Sequence, residues 1–152
     1  MRARRGAGGA MGRGGVAALE FAIVAGVMSM MLMGVYDYGM VAWHKLQVHN
    51  AVRAGAAYAA YHGYDQAKIM TVVTTASDYP AITASPAPSE VCGCAEPSGA
   101  FVESACGGSC ADGGTKGKYA RVSARADYHF VLPFPGRSGP VVMSTHGIAR
   151  LE

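Results

Sequence analysis

Apolar residues run along this chain in two rhythms. From Val16 to Val35 they form a run interrupted by a single formal charge, Glu20, and apolar and aromatic character continues through YDYGMVAW to Trp43. Twenty helical residues rise about 30 Å, the thickness of a bilayer's hydrocarbon core, so the run predicts a transmembrane helix. Beyond it Leu46, Val48, Val52, Ala56 and Ala59 stand among His, Gln, Asn and Arg with no Pro, which predicts an amphipathic extension of the same helix stopping at Gly63. Asp65 is placed to cap a second short helix with Ile69, Val72, Val73 and Ala76 on one face, ended by Pro80. Pro80, Pro86 and Pro88 make the segment up to Ser89 read as a loop.

The second rhythm has period two. Val122, Ala124, Ala126, Tyr128 and Phe130 alternate with Arg121, Ser123, Arg125, Asp127 and His129, the pattern of a half-buried strand over Tyr119 to Phe130. A further strand candidate runs from Val141 to about Leu151, and PFPGRSGP between them is turn material, so an antiparallel hairpin is expected, with a third strand near 100–104. The fold class expected is α+β. A basic leader (1–15) precedes a long N-terminal helix (16–63, with 16–43 in the membrane), and a small antiparallel β-sheet domain with disulfides (64–152) follows.

Charge sharpens this picture. The chain carries 13 Lys and Arg against 10 Asp and Glu, yet Arg2, Arg4, Arg5 and Arg13 all precede the apolar run and no acid accompanies them. The rest is close to neutral, so a basic body built for nucleic acid is not supported. Positive charge ahead of the span places the N-terminus in the cytoplasm and the region after Trp43 outside, with Tyr36, Tyr38 and Trp43 suited to the outer aromatic belt. A secretory signal also begins with basic residues, but its apolar core is shorter and ends in a small-residue cleavage site, whereas DYGMVAWHKLQ follows here.

Glu20 is the residue the span must account for. An unpaired carboxylate in hydrocarbon costs on the order of a few kcal/mol. Two readings are open: the side chain reaches back to the headgroups and the helix N-terminal dipole, or it meets a partner in the membrane. Ala18, Ala22 and Gly26 recur every four residues and form a small-residue ridge on which another helix could pack.

The cysteines at 92, 94, 106 and 110 fall outside the membrane in this topology, where an oxidising compartment favours disulfides. A bridge within Cys92-Gly93-Cys94 would be strained. One cysteine of the first pair is therefore expected to join one of the second, with either cross-pairing open. The spacings C-x-C and C-x3-C are not zinc knuckles, so no metal is expected.

The string Arg13-Gly14-Gly15-Val16-Ala17-Ala18-Leu19-Glu20-Phe21 resembles the processing site of type IV pilin-like proteins, which a membrane-embedded aspartic peptidase cuts after a Gly to leave Glu as the fifth mature residue. Counted from Val16, Glu20 is fifth. The segment His49-Asn50-Ala51-Val52-Arg53-Ala54-Gly55-Ala56-Ala57-Tyr58-Ala59-Ala60 is similar to the segment that follows the membrane helix in the TadE-like family, and the Cys-x-Cys and the strand ending near Arg150 are loosely similar to it too. The family often has Pro where this chain has Gly26, and Arg-Glu-Gly-Ala-Arg where this chain has Arg53-Ala54-Gly55-Ala56-Ala57.

The resemblance implies a minor pilin or pseudopilin that takes part in assembly of a tight-adherence (Flp) pilus. It implies cleavage between Gly15 and Val16, assembly through Glu20 and Phe21, and a single-pass location in the bacterial inner membrane with the C-terminal domain in the periplasm. Implied partners are the prepilin peptidase, other pilins and pilus-assembly proteins. The competing expectation is a membrane-anchored extracytoplasmic binding module that does not polymerise.

No catalytic residues are expected. Gly12-Arg13-Gly14-Gly15-Val16-Ala17 has the letters of a dinucleotide fingerprint but no strand before it, Ser109 is not in a G-x-S-x-G elbow, and no H-E-x-x-H occurs. Neither an enzyme, a cofactor, a small-molecule substrate nor a nucleic-acid partner is anticipated.

Overall fold

The computed structural model of the protein describes residues 13–79, 81–96, 98, 100–111, 116–131 and 139–151. Arg2, Arg4 and Arg5 of the leader, Pro80 and most of the PFPGRSGP turn lie outside the described residues.

One helix, α1 (Arg13–His62), takes in the apolar run and its amphipathic extension without a break. Its 50 residues extend about 75 Å, roughly two and a half times the thickness of a bilayer core. Gly63 ends it in the left-handed region at φ 81°, its amide donating to Ala59 O at 3.0 Å, a conformation that costs glycine little. The second helix, α2 (Gln66–Thr75), starts at the expected cap, where Lys68 N donates to Asp65 Oδ1 at 3.1 Å. Ile69 and Val73 are its buried residues. The helix stops at Thr75, five residues short of Pro80, and Ala76 is exposed at the C-cap.

Four strands form one antiparallel sheet: β1 (Ser89–Ala95), β2 (Phe101–Glu103), β3 (Gly117–Tyr128) and β4 (Val141–Arg150), in spatial order β2-β1-β3-β4. The expected hairpin is β3–β4, paired from Tyr119↔Arg150 to Tyr128↔Val141. The expected third strand is β2. Between it and the hairpin lies β1, which the sequence pattern did not announce.

The alternation along β3 is clean from Ala124 to Tyr128, whereas nearer the strand's start Tyr119 and Ser123 are buried on the opposite face too. Ala120, Val122, Ala124, Ala126 and Tyr128 are buried against the helices, while Arg125 and Asp127 are exposed on the other face. The core is completed by Val48, Ala51, Val52 and Ala59 of α1, Ile69 and Val73 of α2, Ile82, Met143 and Leu151. Leu46 falls outside it at 60% exposure, because it lies two residues, about 200° of helix rotation, from Val48.

Helix and sheet approach closely at two glycines. A Cβ on Gly55 would stand 2.5 Å from Val73 Cγ2 and 3.0 Å from Val122 Cγ1, and one on Gly147 2.8 Å from Val52 Cγ1. These contacts set the direction of packing. Gly55 lies against Val122, whereas Asp37, 18 residues nearer the N-terminus, is bonded to Tyr128. β3 therefore runs down α1 toward the apolar end.

Candidate functional site

The N-terminal half of α1 has no cover from its own chain. From Gly15 to Tyr36 every residue is exposed except Ala25 and Gly34, which are half-buried. Phe21 is 74% exposed, and Val16 and Leu19 are each 63% exposed. Elsewhere exposed apolar side chains are scattered, whereas this unbroken surface calls for a surrounding that is itself apolar. Within it Ser29 satisfies its hydroxyl by donating to Ala25 O at 2.8 Å, so the helix, long and apolar enough to cross a membrane, carries no unpaired hydroxyl at this position.

The sequence-derived site residues gather here. Val16 and Glu20 are one helical turn apart and share a face, and Phe21 projects beside them. Among the described residues no basic group pairs with Glu20. Ala18, Ala22 and Gly26 are exposed as a ridge, and a Cβ on Gly15 or Gly26 would meet nothing within 4 Å. Nothing among the described residues requires glycine at those two positions.

Above this stretch the domain grips one stripe of α1. Asp37, Val41, His44, Val48, Ala51, Gly55 and Ala59 recur at intervals of three and four and turn toward the sheet. Asp37, in the middle of YDYG, is only 1% exposed, and its Oδ1 accepts from Tyr128 OH at 3.1 Å and from Val131 N at 3.2 Å. Burial pushes the Tyr128 phenol up from its ordinary value, and the hydrogen bond it donates to Asp37 adds to that by favouring its protonated form.

One turn beyond Val41, His44 is buried with its ring 4.0 Å from that of Tyr79 and 5.1 Å from that of Tyr128. Its Nδ1 has no hydrogen-bond partner among the described residues. Burial holds its pKa below the ordinary 6.5, since an imidazolium here would lose its hydration. Asp37 and His44 thus fasten the domain to the helix at its lower end; sequence reasoning left Asp37 inside the apolar and aromatic run and His44 just past its end.

At the other end of the sheet the four cysteines are joined as Cys92–Cys106 and Cys94–Cys110. Both bridges cross from β1 to the segment between β2 and β3, so each cysteine of the first pair joins one of the second. Cys92 and Cys94 have the same facing on β1, so two staples from one short strand tie it to the segment that follows β2.

On the sheet face turned away from α1, Ser123 stands opposite His146 in the β3–β4 register, beside Arg121 and Ser144. No hydrogen bond joins that Ser and His among the described residues. Arg121 is engaged by Glu103 and Arg125 by Asp127.

No curated protein and no solved structure matches the chain. Residues 15–57, from the start of the apolar half of α1 to just past its close contact at Gly55, match the family model described as TadE-like protein, the family that the sequence resembles.

Proposed function

We propose that this protein is a minor pilin or pseudopilin that takes part in assembly of a tight-adherence pilus, anchored in the bacterial inner membrane by α1 with its sheet domain in the periplasm. The observation that carries this reading is Glu20: a carboxylate on a bare apolar helix, one turn from Val16, without a basic partner among the described residues, inside the stretch that matches TadE-like proteins. In this proposal a prepilin peptidase hydrolyses the Gly15–Val16 bond. The cut removes the basic leader that sets topology and leaves an ammonium group on Val16. Two charges that are each costly in lipid are neutralised when the Val16 ammonium of one subunit meets the Glu20 carboxylate of another. Ala18, Ala22 and Gly26 allow the two helices to approach closely enough for that contact.

The test is Glu20→Ala in the full-length protein expressed with its pilus system. Membrane insertion is expected to persist, since the substitution makes the span more apolar, while co-isolation with pilus components is expected to be lost. Normal incorporation of the Ala variant would sink the pairing role and return the protein to a tethered module that does not polymerise.

A further inference from the structure

We propose that the sheet domain rests its own lower edge on the bilayer, so that the chain contacts lipid at two places: along α1, and at the end of the sheet formed by Tyr128–Val131 and Gly139–Val142. This rests on the reading of α1 as a membrane anchor.

Height along the helix comes first. If the hydrocarbon core takes the run from Val16 to Val35, Asp37 lies about 3 Å above its outer boundary. The headgroup layer on each side is about 5–7 Å deep, so Asp37 falls within it. Val131 N donates directly to Asp37 Oδ1 at 3.2 Å, and Tyr128 OH donates to the same oxygen at 3.1 Å. The end of β3 is therefore held at headgroup depth by two hydrogen bonds. Val141 pairs with Tyr128 and Val142 with Asp127, which brings the start of β4 to the same level.

What this edge exposes is the second observation. Outside α1, the large hydrophobic side chains exposed among the described residues are Met70, Val102, Val131 and Val142. Met70 lies on α2 and Val102 on β2, whereas Val131, at 69%, and Val142, at 48%, both lie on the membrane-facing end. Among the described residues the ionisable groups at that end are Asp127, directly opposite Val142 and engaged by Arg125, the exposed His129, and Lys45 of α1, which lines the same groove as Val141 and Val142. On the helix itself Tyr36 and Tyr38 are 59% and 78% exposed at this level, as suits an interface. Exposed valines set among ionisable groups, at the height where the helix leaves the hydrocarbon, fit the headgroup layer of a lipid surface, and contact there would fix the domain's orientation to the membrane as well as its distance.

The experiment uses the full chain in phospholipid vesicles. Trp43→Phe removes the single native Trp, and a reporter Trp is then introduced as Val131→Trp or, in a separate protein, Val142→Trp. Lipids brominated on the acyl chain close to the headgroup quench Trp by contact. Both reporters are expected to lose most of their emission in these vesicles and to emit at shorter wavelength than a Met70→Trp control, which should be unaffected. Emission at positions 131 and 142 that is as water-like and unquenched as at position 70 would overturn the proposal. A Met31→Trp protein separates the two readings. If it is quenched while 131 and 142 are not, the anchor stands and the second contact falls; if it too is unquenched, the anchor reading falls and the second contact falls with it.

Discussion

Removing the carboxylate of Asp37 is the perturbation whose cost follows most directly from the structure. Asp37→Ala takes away the acceptor of two hydrogen bonds, and the groups left behind differ. Tyr128 is only 8% exposed, so its hydroxyl is stranded in the core, whereas Val131 is 69% exposed and stands where solvent or headgroups can reach it. Leaving a buried donor unsatisfied costs about 1–3 kcal/mol, so a loss of about 2–3 kcal/mol is expected. Tyr128→Phe removes the hydroxyl instead and leaves Asp37 with the Val131 amide, for an expected loss of about 1–2 kcal/mol. In the double variant neither partner of the 3.1 Å bond remains, and the combined loss should fall short of the sum by about 1 kcal/mol. Thermal unfolding of the full-length protein in mild detergent, followed by near-UV circular dichroism, resolves this, since 1 kcal/mol moves the midpoint of a small domain by about 4–8 °C. Strict additivity of the two substitutions would refute the reasoning, for it would mean that the two groups do not interact.

Two further outcomes follow from the same packing. Gly55→Ala should lower the unfolding midpoint although alanine favours a helix by about 1 kcal/mol, because the new methyl would press on Val73 and Val122, which are both fully buried; overpacking of this kind costs about 1–3 kcal/mol. Gly39→Ala on the same helix, with nothing within 4 Å of its Cβ, should be neutral or stabilising, and equal effects at the two positions would contradict the close approach. The third outcome concerns pH. Since burial lowers the pKa of His44 in the folded state, the folded protein prefers the neutral ring, and this contribution is present above the unfolded value of 6.5 and is lost as pH falls through the folded value. Midpoints measured between pH 7.5 and 5 should therefore drop more steeply for the native protein than for His44→Gln, and parallel curves would remove His44 from the account.

What could be read from the residues was whatever repeats locally. The membrane run, the Asp65 cap and the alternation along β3 depend on neighbours within a few positions, and each stands in the structure at or within a few residues of its expected place. β1 was illegible because Val91-Cys92-Gly93-Cys94 has no periodic apolar face; it is held by pairing to Lys118 and Gly117 on one side and Val102 and Glu103 on the other. Asp37 was missed for a similar reason. In the sequence it is a lone acid between tyrosines, and the residue that explains it lies 91 positions away. Gly55 is common to this chain's Arg53–Ala57 and to the motif it resembles, and only the tertiary contact with Val73 and Val122 supplies its physical reason. The strain within C-x-C pointed to crossed disulfides, but the choice of Cys106 for Cys92 and Cys110 for Cys94 is made by the path of the chain after β2.

The proposed assembly role differs from that of a simple tether in one chemical fact, the identity of the first residue of the membrane-resident protein. N-terminal sequencing of the chain isolated from membranes of cells that contain the prepilin peptidase tests this directly. The account predicts a sequence beginning Val16-Ala17-Ala18-Leu19-Glu20, with the basic leader absent. A chain still beginning at Met1 in those cells would contradict it.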